Sequence, residues 1–172
     1  MKLLKISAAL ALSIAPIFAL AQQPTPADTL LNRLTGKWLL KGVVAGKNIQ
    51  HHIPARWVLG NQYLQLNETS DEQGPDGRPQ YDAMVLLCYN NQTMQYDCLW
   101  LDKTSNSGLS NGIIAHAKFK PGTIALLFKF SGTSLFHTTF TFNPNQNTWH
   151  WKMESDDSGK TQVFADAEMV GR

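Results

Sequence analysis

From Lys37 onward, apolar and polar residues alternate in short runs broken by turn residues at intervals of about ten, the pattern of an all-β chain. Ten strands are predicted: Lys37–Ala45, His51–Leu59, Gln62–Thr69, Gln80–Tyr89, Met94–Asp102, Gly112–Phe119, Thr123–Phe130, Thr133–Phe142, Thr148–Glu154 and Lys160–Met169. Gly60-Asn61 reads as a two-residue, Gly-first hairpin turn. Lys120-Pro121-Gly122-Thr123 places Pro and Gly where a type II turn needs them. Before the strands, Thr25-Pro26-Ala27-Asp28 starts a helix with Thr as cap and Pro in its first turn. Leu30, Leu31 and Leu34 give that helix one apolar face, and Gly36 ends it. Most connections have two to six residues, so neighbouring strands should pair antiparallel in an up-and-down meander. Ten strands left open would expose long edges, and closure into a barrel removes them. A two-sheet sandwich is the alternative, although Greek-key crossovers need longer connections.

Period-two alternation sorts each strand into two faces. Trp149, Trp151 and Met153 are expected inside, with His150, Lys152 and Glu154 outside. Ile113, Ala115, Ala117 and Phe119 oppose Ile114, His116 and Lys118, so His116 should meet solvent. Ile53, Ala55, Trp57 and Leu59 oppose His52, Pro54, Arg56 and Val58. Tyr96, Cys98, Trp100 and Asp102 share a face. Phe136, Thr138, Phe140 and Phe142 oppose Leu135, His137, Thr139 and Thr141, and alternation leaves the face of His137 undecided. A barrel of this size is wide enough to enclose a cavity, and aromatics with a few polar tips suit a small-molecule pocket. The expected wall comprises Trp38, Trp57, Trp100, Trp149 and Trp151, with Arg56 and Tyr81 as polar contacts. Simple filling of the barrel by these rings is the competing expectation.

The first residues change the picture of where the chain works. Met1–Ala21 has Lys2 and Lys5 ahead of an apolar run and ends in Ala19-Leu20-Ala21, the layout of a cleaved export signal. Its apolar stretch is short of the ~20 residues a spanning helix needs. The expectation is a bacterial-type signal peptide over 1–21, a single domain over 22–172, and a periplasmic or secreted protein with no membrane span. The 172 residues carry 15 Lys+Arg against 13 Asp+Glu, and removing Lys2 and Lys5 leaves the two signs equal. Nucleic acid is therefore not an expected partner, since phosphate binding needs clustered positive charge. An oxidising compartment favours a Cys88–Cys98 disulfide across the Gln80–Tyr89 and Met94–Asp102 hairpin. The alternative is two separately buried thiols, and register decides between them.

Catalytic and metal signatures are absent from the sequence: there is no G-x-S-x-G, H-E-x-x-H, C-x-x-C or P-loop. His51-His52 in a strand would point to opposite faces and chelate poorly, and it reads as two exposed polar residues at a strand start. Asp156-Asp157 sits in a Ser/Gly turn where Asp bonds backbone. Asp102 ends a Trp-Leu-Asp run at the barrel rim, where it serves either as a turn cap or as a site carboxylate. No metal site and no catalytic residue is assigned.

Leu34-Thr35-Gly36-Lys37-Trp38 resembles the G-x-W start of lipocalin-like (calycin) barrels, in which a short helix precedes a Trp at the barrel bottom. Trp57-Val58-Leu59-Gly60-Asn61-Gln62-Tyr63-Leu64, Leu87-Cys88-Tyr89-Asn90-Asn91, Leu99-Trp100-Leu101-Asp102 and Trp149-His150-Trp151-Lys152-Met153-Glu154 follow in order. Together they resemble a bacterial exported lipocalin-like family of unknown function, from Leu30 to the C-terminus. Members usually read Gly-Tyr-Asp where this chain has Cys88-Tyr89-Asn90. The resemblance implies a barrel with a small, largely apolar ligand and carries no established activity and no catalytic residue; no cofactor is expected. Two further readings stand beside it. One is a nitrobindin-like haem barrel, which needs an inward histidine such as His137 to ligate iron. The other is an enzyme using Asp102 with a nearby Tyr or His.

Overall fold

A computed structural model describes residues 26–104, 114–129, 135–157 and 159–172. The expected export signal, Met1–Ala21, lies outside the described residues. Helix α1 (Pro26–Asn32) is followed by strands β1 (Gly36–Val44), β2 (Lys47–Val58), β3 (Tyr63–Ser70), β4 (Asp82–Asn90) and β5 (Gln95–Asp102). Then come β6 (Ile114–Lys118), β7 (Thr123–Lys129), β8 (Leu135–Asn143), β9 (Thr148–Asp157) and β10 (Lys160–Gly171). Each strand pairs antiparallel with its neighbours in sequence, and β1 pairs with β10, so the sheet closes into a barrel. The seam runs in continuous register from Trp38↔Gly171 to Val44↔Ala165. The all-β, up-and-down barrel expected from strand spacing is the fold.

Turn chemistry sets the connections. Thr123 N–H donates to the Lys120 carbonyl at 3.2 Å, and Gly122 has φ +70°, as the type II reading requires. The β2–β3 turn is longer than the two residues expected. Leu59, Gly60 and Asn61 are all left-handed, and Val58 pairs with Tyr63. A second difference is the β1–β2 hairpin. Ala45 and Gly46 both take positive φ, so β2 begins at Lys47 rather than His51. Ala in a left-handed position gives no sequence signal, and the polar Lys47-Asn48 hides the start of the strand.

Helix α1 plugs one end of the barrel. Leu30, Leu31 and Leu34 are buried against it. The carbonyls beyond a helix C-terminus lack helical partners, and here tryptophans supply them. Trp38 Nε1 donates to the Leu34 carbonyl at 2.7 Å and Trp149 Nε1 to the Arg33 carbonyl at 3.2 Å. Trp57 Nε1 donates to Asn32 Oδ1 at 2.6 Å, and the Arg33 guanidinium lies 4.8 Å over the Phe142 ring. Below the midpoint the interior is packed solid by Leu64, Leu87, Tyr96, Ile124, Phe140 and Met169, all essentially inaccessible.

Candidate functional site

The opposite half of the barrel is not filled. A cavity of about 620 Å³ occupies it, and its wall includes Leu40, Ile49, Phe128, Phe136, Met153 and Phe164. Its floor is an aromatic layer. Trp151 stacks on Phe140 (centroids 5.3 Å apart, 21° between planes), Trp100 lies 5.6 Å from Trp151, and Phe128 meets Trp100 edge-on at 6.3 Å. Beneath this layer lies a void of about 10 Å³, among Ile53, Leu66, Val85 and Phe140. The expected inward face of β9 is therefore present: Trp149, Trp151 and Met153 are buried, while His150 pairs with Asp166 (2.8 Å) and Lys152 with Glu154 (2.7 Å).

A polar cluster interrupts the apolar wall on β2 and β3. Along β3 the inward positions are Leu64, Leu66, Glu68 and Ser70, all buried. Along β2 they are His51, Ile53 and Ala55. His51 Nδ1 lies 2.5 Å from Glu68 Oε1. The imidazole stacks on Tyr81 (5.6 Å, 17°), and the Tyr81 hydroxyl accepts a hydrogen bond from Trp100 Nε1 at 3.2 Å. Tyr81 is held in turn by Ser70. The Ser70 and Tyr81 backbones bond each other, and Tyr81 N–H donates to Ser70 Oγ at 2.9 Å. Burial pushes the Glu68 carboxyl above the usual carboxylate range; the hydrogen bond and charge of His51 pull it back, and Asp102 adds to the rise. Burial, with Glu68 nearby, raises the Tyr81 hydroxyl well above its ordinary value, so it stays a phenol at neutral pH.

Of the seven residues expected to wall a pocket, Tyr81, Trp100 and Trp151 line the cavity together. Trp38, Trp57 and Trp149 instead anchor α1 at the other end, and Arg56 is exposed on the outer face of β2. Asp102 is a turn cap, its Oδ1 accepting from Thr104 N–H at 2.8 Å, and it also borders the cavity. His137 alternates with the cavity residues Phe136 and Thr138 and so belongs to the outer face, away from any interior ligand. His116 is outside as expected, bonded to Asp97 at 2.7 Å.

His51 corrects the reading of His51-His52 as exposed polar residues. The two do point to opposite faces, but His51 is buried inside while His52 pairs with Asp71 outside at 2.6 Å. Glu68 belongs to no catalytic or metal-binding motif in the sequence. The signal for both was present: each continues the period-two inward series of its strand, His51 ahead of Ile53 and Ala55, and Glu68 after Leu64 and Leu66. Among the described residues, no set of three or more His, Cys, Asp or Glu is placed to hold a metal ion.

The Cys88–Cys98 disulfide does not form. The register pairs Cys88 with Asp97 and Cys98 with Leu87, an offset of one residue. One residue along a strand reverses the face, so Cys98 is buried inside and half-buried Cys88 lies on the other side; both are free thiols. Two buried polar atoms of residues that line the cavity, Thr138 Oγ1 and Trp151 Nε1, have no hydrogen-bond partner among the described residues. Leaving such groups unpaired costs about 1–3 kcal/mol each. No helix among the described residues is long and apolar enough to cross a membrane. Comparison with protein-family models and with curated proteins finds no match to this chain.

Proposed function

We propose that this protein is an exported, lipocalin-like barrel that binds a small, largely apolar molecule in the half of its interior away from α1. One observation carries the reading: a cavity of about 620 Å³, walled mainly by aromatic and aliphatic side chains, above a packed base. Ligand pockets are typically ~300–1,000 Å³, apolar, with a few convergent polar groups. The His51–Glu68–Tyr81 cluster supplies those groups. The haem reading relied on His137, whose position on the outer face gives it no support. Export rests on the Met1–Ala21 pattern, which places cleavage after Ala21.

Native mass spectrometry of protein recovered from the compartment of its own host tests both parts. The chain should begin at Gln22 and carry a single low-mass adduct, lost on collisional activation. A chain retaining Lys2 and Lys5 would contradict export. An adduct-free protein that also takes up no apolar probe would contradict ligand binding.

A further inference from the structure

His51 is the one imidazole on the cavity wall among the described residues, and only half of its hydrogen-bonding capacity is used. Nδ1 is committed to Glu68 at 2.5 Å, and one ring face is committed to Tyr81. Nε2 has no hydrogen bond among the described residues, although His51 is more than nine-tenths buried. A ring nitrogen without a partner, on a residue that lines the cavity and is otherwise buried, is a place for a ligand atom. We infer that His51 Nε2 is the polar anchor of the cavity and that the ligand it selects is an uncharged apolar molecule bearing a hydroxyl group, an aliphatic alcohol or a phenol. This rests on the cavity binding an apolar molecule at all.

The contact with Glu68 explains why a hydroxyl fits best, because the protonation of the pair decides what Nε2 offers. With Glu68 ionised and the imidazole's one proton on Nδ1, Nε2 is an acceptor. When the pair takes up one further proton, so that Glu68 is neutral and donates to Nδ1, the imidazole's own proton sits on Nε2, which is then a donor. A hydroxyl can answer either state, because it both donates and accepts. A carboxylate only accepts, and it would meet a wall holding Glu68, Glu72 and Asp102 against a single lysine, Lys47. Bringing a further negative charge into that apolar enclosure is unfavourable. An alkane gains the apolar burial but leaves Nε2 unpaired. The aromatic floor of Trp100 and Trp151 receives the ligand body, so the hydroxyl lies toward β2 and β3.

Calorimetric titration of the full chain at neutral pH with octan-1-ol, octane and octanoate tests this. One hydrogen bond to a desolvated imidazole corresponds to about a tenfold change in affinity. Because the alkane is intrinsically more apolar, the quantity read is the alcohol-to-alkane affinity ratio. It should fall about tenfold in the double variant His51→Phe with Glu68→Gln, which leaves no carboxyl buried alone. His52→Phe, which removes the neighbouring imidazole on the outer face, should keep the ratio. Octanoate should bind at least tenfold more weakly than octanol. In the wild-type chain, the ¹⁵N resonance of His51 Nε2 should move on adding octanol and stay put on adding octane, a readout that needs no variant. Equal or tighter octanoate binding, an unchanged ratio in the double variant, or a silent Nε2 resonance would each overturn the inference while leaving apolar binding intact. If none of the three compounds binds, the cavity-binding reading falls and this inference falls with it.

Discussion

Glu68 is a carboxyl group set in an apolar wall, and its protonation couples to folding. Its native pKa lies above the unfolded value of 4.5, with burial the main cause. The native state therefore holds the proton more firmly than the unfolded chain does. The stabilising contribution of that proton is complete below pH 4.5 and is lost as pH rises through the native value. Glu68→Gln removes this dependence, so denaturation between pH 4 and 8 should show the variant gaining on wild type as pH rises. A stability difference that stays constant across that range would place Glu68 in a solvated setting. The cysteines give a second residue-scale prediction. Burial raises the Cys98 thiol far above its ordinary value and also raises Cys88, where Asp97 adds to the effect. Both should react slowly in the native protein, and unfolding without reductant should release two titratable thiols. A count of zero would mean a bridge, which the opposite faces of Cys88 and Cys98 forbid without a register change. Register is the property that residue-level reading could not reach. A compartment argument favoured pairing, whereas a one-residue offset between β4 and β5 decided against it.

At the scale of elements, alternation within strands was the legible part. The inward face of β9 and the burial of Ala115 and Ala117 on β6 follow directly from period two, and so does the outward placement of His116 and His150. Phe119, past the end of β6, is exposed, and Ile113 lies outside the described residues. What alternation could not say is how far along the barrel axis each inward residue sits. Trp149 and Trp151 share a face, yet Trp149 holds the carbonyl end of α1 while Trp151 floors the cavity. Trp149→Ala should thus remove a fully packed ring and cost about 3–5 kcal/mol. Trp151→Ala, beside existing empty space, should cost clearly less in chemical denaturation. Equal losses would indicate that both rings sit in solid core. The seam between β1 and β10 makes its own demand. A Cβ on Gly42 would come within 2.3 Å of the Asp166 carbonyl and 2.4 Å of Ala167 Cα, both backbone atoms. Gly42→Ala must push the two strands apart, at a cost of at least ~1–3 kcal/mol. An unperturbed melting midpoint in that variant would argue against closure at this seam.

Across the whole molecule, the barrel divides into a plugged half and a hollow half, and one sequence feature accounts for each. The Leu30-Leu31-Leu34 face and the tryptophans around it close the base. Above the Trp100–Trp151 layer, small side chains on β10, Ala165 and Ala167, face the interior and leave room unfilled. Whether a barrel is open or filled depends on the summed volume of side chains from ten strands, which no single strand's pattern reports. The proposed function requires that this room hold a ligand. Saturation binding of N-phenyl-1-naphthylamine, a neutral apolar fluorophore, tests it most directly when wild type is compared with Ala165→Trp, which places an indole in the cavity. The prediction is one saturable site per chain in wild type, with energy transfer from the cavity tryptophans, and loss of that site in a variant that keeps its β-sheet circular dichroism. No saturable binding to wild type, or undiminished binding to a folded Ala165→Trp variant, would contradict it.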